Sequence, residues 1–185
     1  MDRLIKLITF WCGIVCIVVI IMQCLWPSAI LLSLVITLGV VVYQLGMRLL
    51  TGNVVERFFP KRFSYDHGWF SVRPGEIKLY HCLKVKQWKK HLPTYDPDKY
   101  DVRKHSVEEI IQTMCCAELD HELMMVFGYL PIILIWWFGD PAVFIITSIV
   151  ASLIELPFIV MQRFNRNRLV KIAKRKEKRS SLRVD

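Results

Sequence analysis

The stretch CCAELDHELMMVFGYLPIILIWWFGD, residues 115–140, joins a charged group of residues directly to a long apolar run. The charged group consists of Glu118, Asp120, His121 and Glu122, and the apolar run begins at the next residue. Because charge is costly in hydrocarbon, this junction is predicted to lie at a membrane surface. Two interpretations follow: the charges cap and solvate a helix end, or they form a reaction centre at the membrane.

The composition of the whole chain supports a membrane protein with a substantial polar part. The 185 residues are 54% hydrophobic and 22% charged, and the mean hydropathy is +0.38. A bilayer core of about 30 Å needs about 20 apolar residues per helix. We therefore predict an all-α integral membrane protein with four transmembrane helices in a two-plus-two arrangement. The predicted spans are Leu7 to Trp26, Ala29 to Met47, Leu123 to Phe138 and Ala142 to Met161.

The distribution of basic residues predicts the orientation of these spans. All 25 Lys and Arg lie before the first span, at the end of the second, in the central segment or after the fourth. The connectors around Pro27 and at 139–141 contain none. By the positive-inside rule, both termini and the central segment are predicted to be cytoplasmic. This topology also accounts for the net charge of +9, so we do not predict a nucleic-acid partner.

The spans divide the chain into four predicted parts. Residues 1–50 form an N-terminal helical hairpin, and residues 123–161 form a second one. Residues 51–122 form a basic, aromatic-rich cytoplasmic segment that ends in a helix, and 162–185 form a basic tail. Aromatic rings among basic residues suit a segment lying on lipid headgroups, and prolines divide it into short helices and turns without strands.

A helix is predicted to begin near Val107. Ser106 followed by Glu109 is a capping-box pattern, in which each side chain bonds to the backbone of the other residue. At 100° per residue, Glu118 and His121 fall within an apolar stripe of this helix, and Asp120 points to the opposite, solvated face. The other members of the stripe are Val107, Ile110, Ile111, Met114 and Met125; the opposite face carries Glu109, Gln112, Thr113 and Cys116.

The spacing of Glu118 and His121 favours general-base chemistry. Residues three apart are neighbours on a helix, so the carboxylate can orient an imidazole that accepts a proton from an attacking hydroxyl. The alternatives are an ion pair at a helix end, or a histidine hydrogen-bonded to a neighbouring helix. A metal site needs matching ligands from other helices, and the chain has no second Glu-x-x-His. We therefore expect no metal and no bound cofactor.

A group of hydrogen-bond donors follows the fourth span. Arginine forks and amides at helical spacing suit the binding of phosphate or carbonyl oxygen, although a basic tail also anchors a protein at anionic lipid. The donors are Gln162, Arg163, Asn165, Arg166 and Arg168. Inside the span, Glu155 is either a functional carboxylate or the partner of Arg48 or of another buried polar group.

Three blocks of the sequence together resemble the glycosyl-4,4'-diaponeurosporenoate acyltransferase family, small bacterial membrane proteins of carotenoid biosynthesis. The blocks are VKQWKKHLP (85–93), AELDHE (117–122) and PFIVMQRFNRNRL (157–169). The resemblance implies transfer of a fatty acyl chain to a sugar hydroxyl of a membrane glycolipid, at the cytoplasmic face of a bacterial cell membrane. The implied donor is acyl-CoA or acyl carrier protein.

The resemblance also suggests roles for individual residues. His121 is the expected general base, and Glu118 is its orienting partner. We expect the phosphates of the acyl donor or the developing oxyanion to be bound by Arg163, Asn165 and Arg166. The same binding group includes Gln162 and Arg168. Headgroup or donor contacts are assigned to Lys86, Trp88 and Lys89. The alternative function is that of a non-catalytic membrane scaffold or lipid-binding subunit of a lipid-processing complex.

Overall fold

The computed structural model of the chain describes residues 2–58, 63, 67–88, 92 and 96–181. Within these residues all regular structure is helical and no strand is present, which confirms the all-α prediction. Four helical segments are long and apolar enough to cross a membrane. They occupy Arg3–Leu25, Ala29–Val55, Val107–Phe138 and Pro141–Lys176.

The first two helices include the first two predicted spans. Helix α1 covers Asp2–Leu25 and α2 covers Ala29–Phe58. In the connector, the hydroxyl of Ser28 accepts a hydrogen bond from the Leu31 N–H at 3.1 Å, and so satisfies a donor that the start of α2 leaves open.

Helix α2 is longer than the span predicted from hydropathy, which ended at Met47. The helix continues because loss of apolar character does not interrupt its backbone hydrogen bonds. Thr51 and Asn53 donate from their side chains to the carbonyls of Met47 and Leu49, at 2.9 and 2.7 Å. These polar side chains therefore bond back to the preceding turn of the helix instead of ending it.

The predicted third span is confirmed as part of an apolar helical segment, but this segment is not one continuous α-helix. Helix α5 (Val107–Phe127) ends before Gly128, a 3-10 helix covers Leu130–Leu134, and a short helix α6 covers Ile135–Phe138. Pro131 has no N–H, and within a helix its ring would meet the carbonyl four residues earlier, which explains the break.

Two side chains of α2 accommodate this break. The Tyr43 hydroxyl donates to the Phe127 carbonyl at 3.0 Å, and the Gln44 amide donates to the Gly128 carbonyl at 3.3 Å. Backbone carbonyls released from a helix need partners in an apolar environment. Polar residues of the second span thus allow the third segment to change its helical form.

The last long helix, α7, covers Pro141–Ser181. It begins with a proline at the position where a missing N–H costs nothing, and it continues through Pro157. Its 41 residues are twice the about 20 that cross a bilayer. The predicted hydrogen-bond donors that follow the fourth span therefore lie on the same continuous helix as the span.

The apolar helices expose most of their hydrophobic surface. In each of the first two spans, only 11% of the most apolar stretch is buried. Large exposed side chains include Phe10, Trp11, Trp136 and Trp137. Continuous apolar surface on this scale is not stable in water, so the helices are those of a membrane protein.

Backbone contacts divide the chain into two compact units. The first comprises residues 1–53 and 122–156, with a core of Ile36, Val40 and Phe144. Arg48 and Glu155 form an ion pair in this unit, with a nitrogen–oxygen distance of 2.6 Å. The structure therefore selects Arg48 as a partner of the intramembrane carboxylate.

The second unit comprises residues 54–121 and 157–185. Its short elements are α3 (Pro74–Cys82), α4 (Val85–Trp88) and a 3-10 helix over Pro97–Tyr100. Two of these elements begin at prolines, as predicted; Pro60 and Pro93 lie outside the described residues. The core of this unit is formed by Tyr80, Val85 and Phe164, and it holds α3 and α4 on the α7 helix.

Candidate functional site

The start of α5 has the predicted capping box. The Ser106 N–H donates to the Glu109 carboxylate at 3.1 Å, and the Glu109 N–H donates to the Ser106 hydroxyl at 3.2 Å. The helix begins at Val107, as the pattern predicted. The stripe is buried as well, since Ile110, Ile111, Met114 and Glu118 all have 7% exposure or less.

Glu118 lies at the centre of a buried ionic network. Its exposure is 0%, and it forms a close ion pair with Arg166 of α7. Its other carboxylate oxygen lies 3.1 Å from Nη1 of Arg163. Because a carboxylate without compensation is costly in the interior, the two arginines stabilise its ionised form.

Arg166 is itself buried and held by several contacts. It is 1% exposed, its Nη2 donates to the Phe70 carbonyl at 2.7 Å, and its guanidinium lies 4.9 Å from the centre of the Phe70 ring. A fixed guanidinium fork suits such simultaneous contacts. Arg166 therefore connects α5, α7 and the loop before α3.

Arg163 extends the network to α3. Its Nε lies 3.5 Å from the Glu76 carboxylate, and its Nη2 donates to the Ser71 carbonyl at 3.2 Å. The Tyr80 hydroxyl donates to Glu76 at 3.1 Å. Burial, followed by the neighbouring Glu76 charge, raises the pKa of Tyr80 to about 12, so this tyrosine remains a hydrogen-bond donor at neutral pH.

We call Glu76, Glu118, Arg163 and Arg166 the arginine–glutamate cluster. Its two cations and two anions compensate each other in charge. The side chain of Arg163 is 17% exposed, whereas Arg166 is almost completely enclosed. Arg163 is thus the better placed of the two arginines to meet a ligand, and the contacts of Arg166 suit a positioning role.

His121 lies one turn beyond Glu118 on α5. Its ring stacks on the Phe158 ring of α7, with a centroid distance of 4.9 Å and an interplanar angle of 12°. The side chain is half-buried. The stacked ring is held in orientation, and partial exposure is compatible with access for a substrate. Whether Glu118 orients His121 directly remains a prediction.

The prediction that Asp120 lies on a solvated face was wrong. The residue is half-buried, and its Oδ1 atom has essentially no solvent exposure. Residues one and two turns away on the same side, Met124 and Gln112, are also buried. Gln112 donates to the Phe63 carbonyl and accepts from the Phe63 N–H, at 2.6 and 3.0 Å. Helix α5 is therefore buried on a second face as well. The polar residues of this face had led to the prediction that it is exposed to solvent.

The remaining predicted hydrogen-bond donors of α7 line a cavity of about 370 Å³. Gln162, Asn165 and Arg168 lie in its wall, together with Tyr100. Gln162 is 8% exposed, and its amide donates to the Tyr100 hydroxyl at 3.4 Å. Burial raises the pKa of Tyr100 to about 12. The five predicted donors thus divide between this cavity and the arginine–glutamate cluster.

The residues of the first block have different surroundings. Trp88 packs against the core of the second unit, and its indole N–H donates to the Leu83 carbonyl at 3.1 Å. Lys86 is exposed. Lys89 lies outside the described residues. The contacts of Trp88 show how it stabilises α4. Its predicted contact with lipid headgroups or the acyl donor remains a prediction.

Sequence reasoning missed Glu76, Tyr80 and Tyr100. Glu76 and Asp66 are the only acidic residues between positions 57 and 91, in a strongly basic segment. An isolated carboxylate among cations, four residues before a tyrosine, was the available signal. Tyr100 had no comparable local signal, because its neighbour Gln162 is distant in sequence.

The fold and the site together define a helical membrane protein with a buried ionic cluster beside a half-buried histidine. Within the described part of the chain, no group of three His, Cys, Asp or Glu is placed to hold a metal ion. Every residue of the cluster and of the cavity lies between positions 66 and 175.

A model of the glycosyl-4,4'-diaponeurosporenoate acyltransferase family matches residues 66–175. The match spans more than half of the 185 residues, and the chain belongs to this family. Membership confirms the resemblance carried by the three blocks and implies an acyltransferase of carotenoid biosynthesis. Neither the curated proteins nor the solved structures searched gave a significant match.

Proposed function

We propose that the protein transfers a fatty acyl chain from a thioester donor to a sugar hydroxyl of a membrane glycolipid, such as a glycosylated carotenoid. The family match carries this proposal, because it includes His121, the arginine–glutamate cluster and the cavity. The apolar spans support a lipid-dissolved acceptor. The donor is acyl-CoA or acyl carrier protein, which a basic protein surface attracts.

In the proposed reaction His121 is the general base. The imidazole accepts the proton of the sugar hydroxyl while the hydroxyl oxygen attacks the thioester carbonyl carbon. The tetrahedral intermediate then expels the donor thiol, which takes a proton from the imidazolium, and an ester bond has replaced the thioester bond. The stack on Phe158 holds the ring for both proton transfers.

The arginine–glutamate cluster positions His121 and provides charge for the intermediate. Glu118 and Arg166 fix α5 on α7 one turn from the histidine. Arg163, which is partly exposed, is assigned to the developing oxyanion or to a donor oxygen. Glu118 is also proposed to stabilise the imidazolium, since residues three apart are neighbours on a helix.

The proposed topology has two helical hairpins in a bacterial cell membrane, with residues 51–122 and both termini in the cytoplasm. The segregation of Lys and Arg supports it. Acyl-CoA and acyl carrier protein are cytoplasmic, so this orientation presents the candidate site to its donor. Lys86, Trp88 and Lys89 are proposed to contact headgroups or the donor at the same surface.

The charge balance of the arginine–glutamate cluster favours a second candidate, a non-catalytic scaffold or lipid-binding subunit. Two arginines that are paired with two carboxylates also suit a purely structural cluster. Such a protein binds lipid and partner enzymes without turning over an acyl donor.

Reconstitution of the purified full-length protein distinguishes the two candidates. Lipid vesicles containing a glycosylated carotenoid are incubated with labelled acyl-CoA or acyl carrier protein, and the lipids are separated and identified by mass spectrometry. We expect a new ester on the sugar that requires the protein. Lipid profiles of cells with and without the gene provide the second measurement. A purified protein that makes no ester with either donor, although the cells require the gene for acylation, supports the scaffold.

A further inference from the structure

We infer that the cavity beside Tyr100 binds the phosphopantetheine arm of the acyl donor, which acyl-CoA and acyl carrier protein share. This inference rests on the proposed function and adds the part of the substrate that is recognised and the residues that recognise it. Its basis is the combination of apolar walls, two amide side chains and an arginine at one edge.

The walls of the cavity are mostly apolar. Helix α5 contributes Ile110 and Met114, and α7 contributes Met161, Leu169 and Ile172. A cavity of about 370 Å³ lies within the usual range for small-ligand sites, which are largely hydrophobic with a few polar groups. The methylene and geminal methyl groups of the arm fit such walls.

The polar groups match the remaining features of the arm. Gln162 and Asn165 present carboxamides, which can donate to and accept from the two amide bonds of the arm. Arg168 is exposed, and its guanidinium lies 5.6 Å from the centre of the Phe164 ring. An arginine held at the edge suits the phosphate that ends the arm.

The position of the cavity along the helices agrees with this assignment. Met114 precedes His121 by seven residues on α5, and Asn165 follows Phe158 by seven residues on α7. Seven residues correspond to about 10 Å along a helix axis. The arm ends in the thioester, so binding it in the cavity directs the reacting carbonyl toward the histidine.

The same polar groups argue against a bare hydrocarbon chain as the occupant. A fatty acyl or carotenoid chain offers no hydrogen bond to Gln162 or Asn165. Burying these amides against hydrocarbon would cost free energy that a ligand with amide groups avoids.

Kinetics of two variants of the full-length protein test the inference. Asn165→Leu removes an amide from the cavity wall, and Arg168→Gln removes the edge cation without altering the buried walls. We expect each variant to raise KM for acyl-CoA or acyl carrier protein about tenfold and to change kcat little. The reason is a lost hydrogen bond in Asn165→Leu and a lost charge-assisted contact in Arg168→Gln. Arg175→Gln is the control, because it removes the same charge from the exposed basic tail and should leave KM unchanged.

Binding of the arm itself is measured separately from acyl transfer. Titration of the purified protein with 4'-phosphopantetheine, and with 3'-phospho-AMP as a nucleotide control, shows which part of the donor is bound. We expect binding of 4'-phosphopantetheine that Asn165→Leu and Arg168→Gln weaken and Arg175→Gln does not. Equal KM increases in all three variants, or binding of the nucleotide alone, would overturn the inference. Pantetheine binding in a protein without acyl transfer would instead reject the proposed function.

A fluorescent fatty acid tests the remaining occupant. If Asn165→Leu strengthens the binding of the fatty acid and the natural protein does not bind 4'-phosphopantetheine, then the cavity is an acyl-chain site and the inference is wrong. A donor comparison identifies the source of the arm, because the physiological donor should have the higher kcat/KM with the natural protein. Arg168→Gln should raise KM for whichever donor is used. Thermal unfolding of each variant excludes misfolding as the cause.

Discussion

At the scale of single residues, the surroundings of Glu118 and His121 differ although the two lie one turn apart. Glu118 is fully enclosed and in contact with two arginines, whereas His121 is half-buried and stacked on a phenylalanine. The contacts of Glu118 suit a structural role, and the partial exposure of His121 suits its proposed role as general base. Substitutions at the two positions should therefore fail in different ways.

We predict that His121→Ala abolishes acyl transfer while the protein still inserts and accumulates. The loss is chemical, and removal of a general base typically lowers the rate about 10² to 10⁴-fold. The measurement is turnover per purified molecule, with Asn53→Ala, in the exposed region of α2, as the control. A purified His121→Ala protein with normal turnover would exclude the catalytic role.

For the buried ion pair, we predict that Glu118→Gln lowers the free energy of unfolding by about 3–5 kcal/mol, since it leaves Arg166 enclosed without its carboxylate. Adding Arg166→Met should recover most of this stability, because two apolar or neutral side chains can replace a buried pair. Unfolding of the detergent-solubilised variants provides the comparison. The structural role would be refuted if the single variant were as stable as the natural protein.

At the scale of elements, the break after α5 depends on close packing around one glycine. A Cβ added at Gly128 would lie 3.1 Å from both the Gln44 side-chain nitrogen and the Met124 carbonyl oxygen. The Gln44 side chain donates to the Gly128 carbonyl, so a larger residue would disturb the contact that compensates the break. The change of helical form thus depends on Pro131, which ends the α-helix, and on Gly128, which leaves space for the Gln44 side chain.

We predict that Gly128→Ala lowers the free energy of unfolding by about 1–3 kcal/mol, as overpacking of a tight site does. Gly39→Ala is the matched control, because a Cβ at Gly39 meets nothing within 4 Å and alanine favours a helix over glycine. Thermal unfolding in detergent compares the two. Equal stability of both variants would show that the break does not depend on this packing.

At the scale of the whole molecule, the segregated basic residues predict one orientation of the exposed apolar helices in a membrane. Both connectors without Lys or Arg are bordered by large exposed aromatic side chains, which include Trp26 and Trp137. Tryptophan is typical of the bilayer interface. The opposite ends of the spans carry the basic residues.

We predict that these connectors face outward and that the C-terminal helix faces the cytoplasm. In a variant without the native cysteines, Trp26→Cys should react with an impermeant thiol reagent in intact cells. Arg175→Cys should react only after the membrane is permeabilised. The reverse pattern would place the candidate site on the outer face and exclude cytoplasmic donors.

The sequence by itself determined the features that depend on neighbouring residues. The capping box at Ser106, the start of α5 and its buried stripe follow from backbone hydrogen bonds and a period of 3.6 residues. Glu118 was placed on the buried face for the same reason. The apolar spans followed from the length of helix needed to cross hydrocarbon, and the ordered blocks indicated the family.

Only the tertiary structure decided which residues meet. Arg166 follows Glu118 by 48 positions, and Gln162 follows Tyr100 by 62, so no local pattern predicts either contact. Burial on a second face of α5 likewise depends on segments that are distant in the sequence, such as the backbone at Phe63. A charge or amide can be assigned to a helix face from periodicity, but its partner is set by packing between elements, because Coulomb and hydrogen-bond energies depend on distances in space.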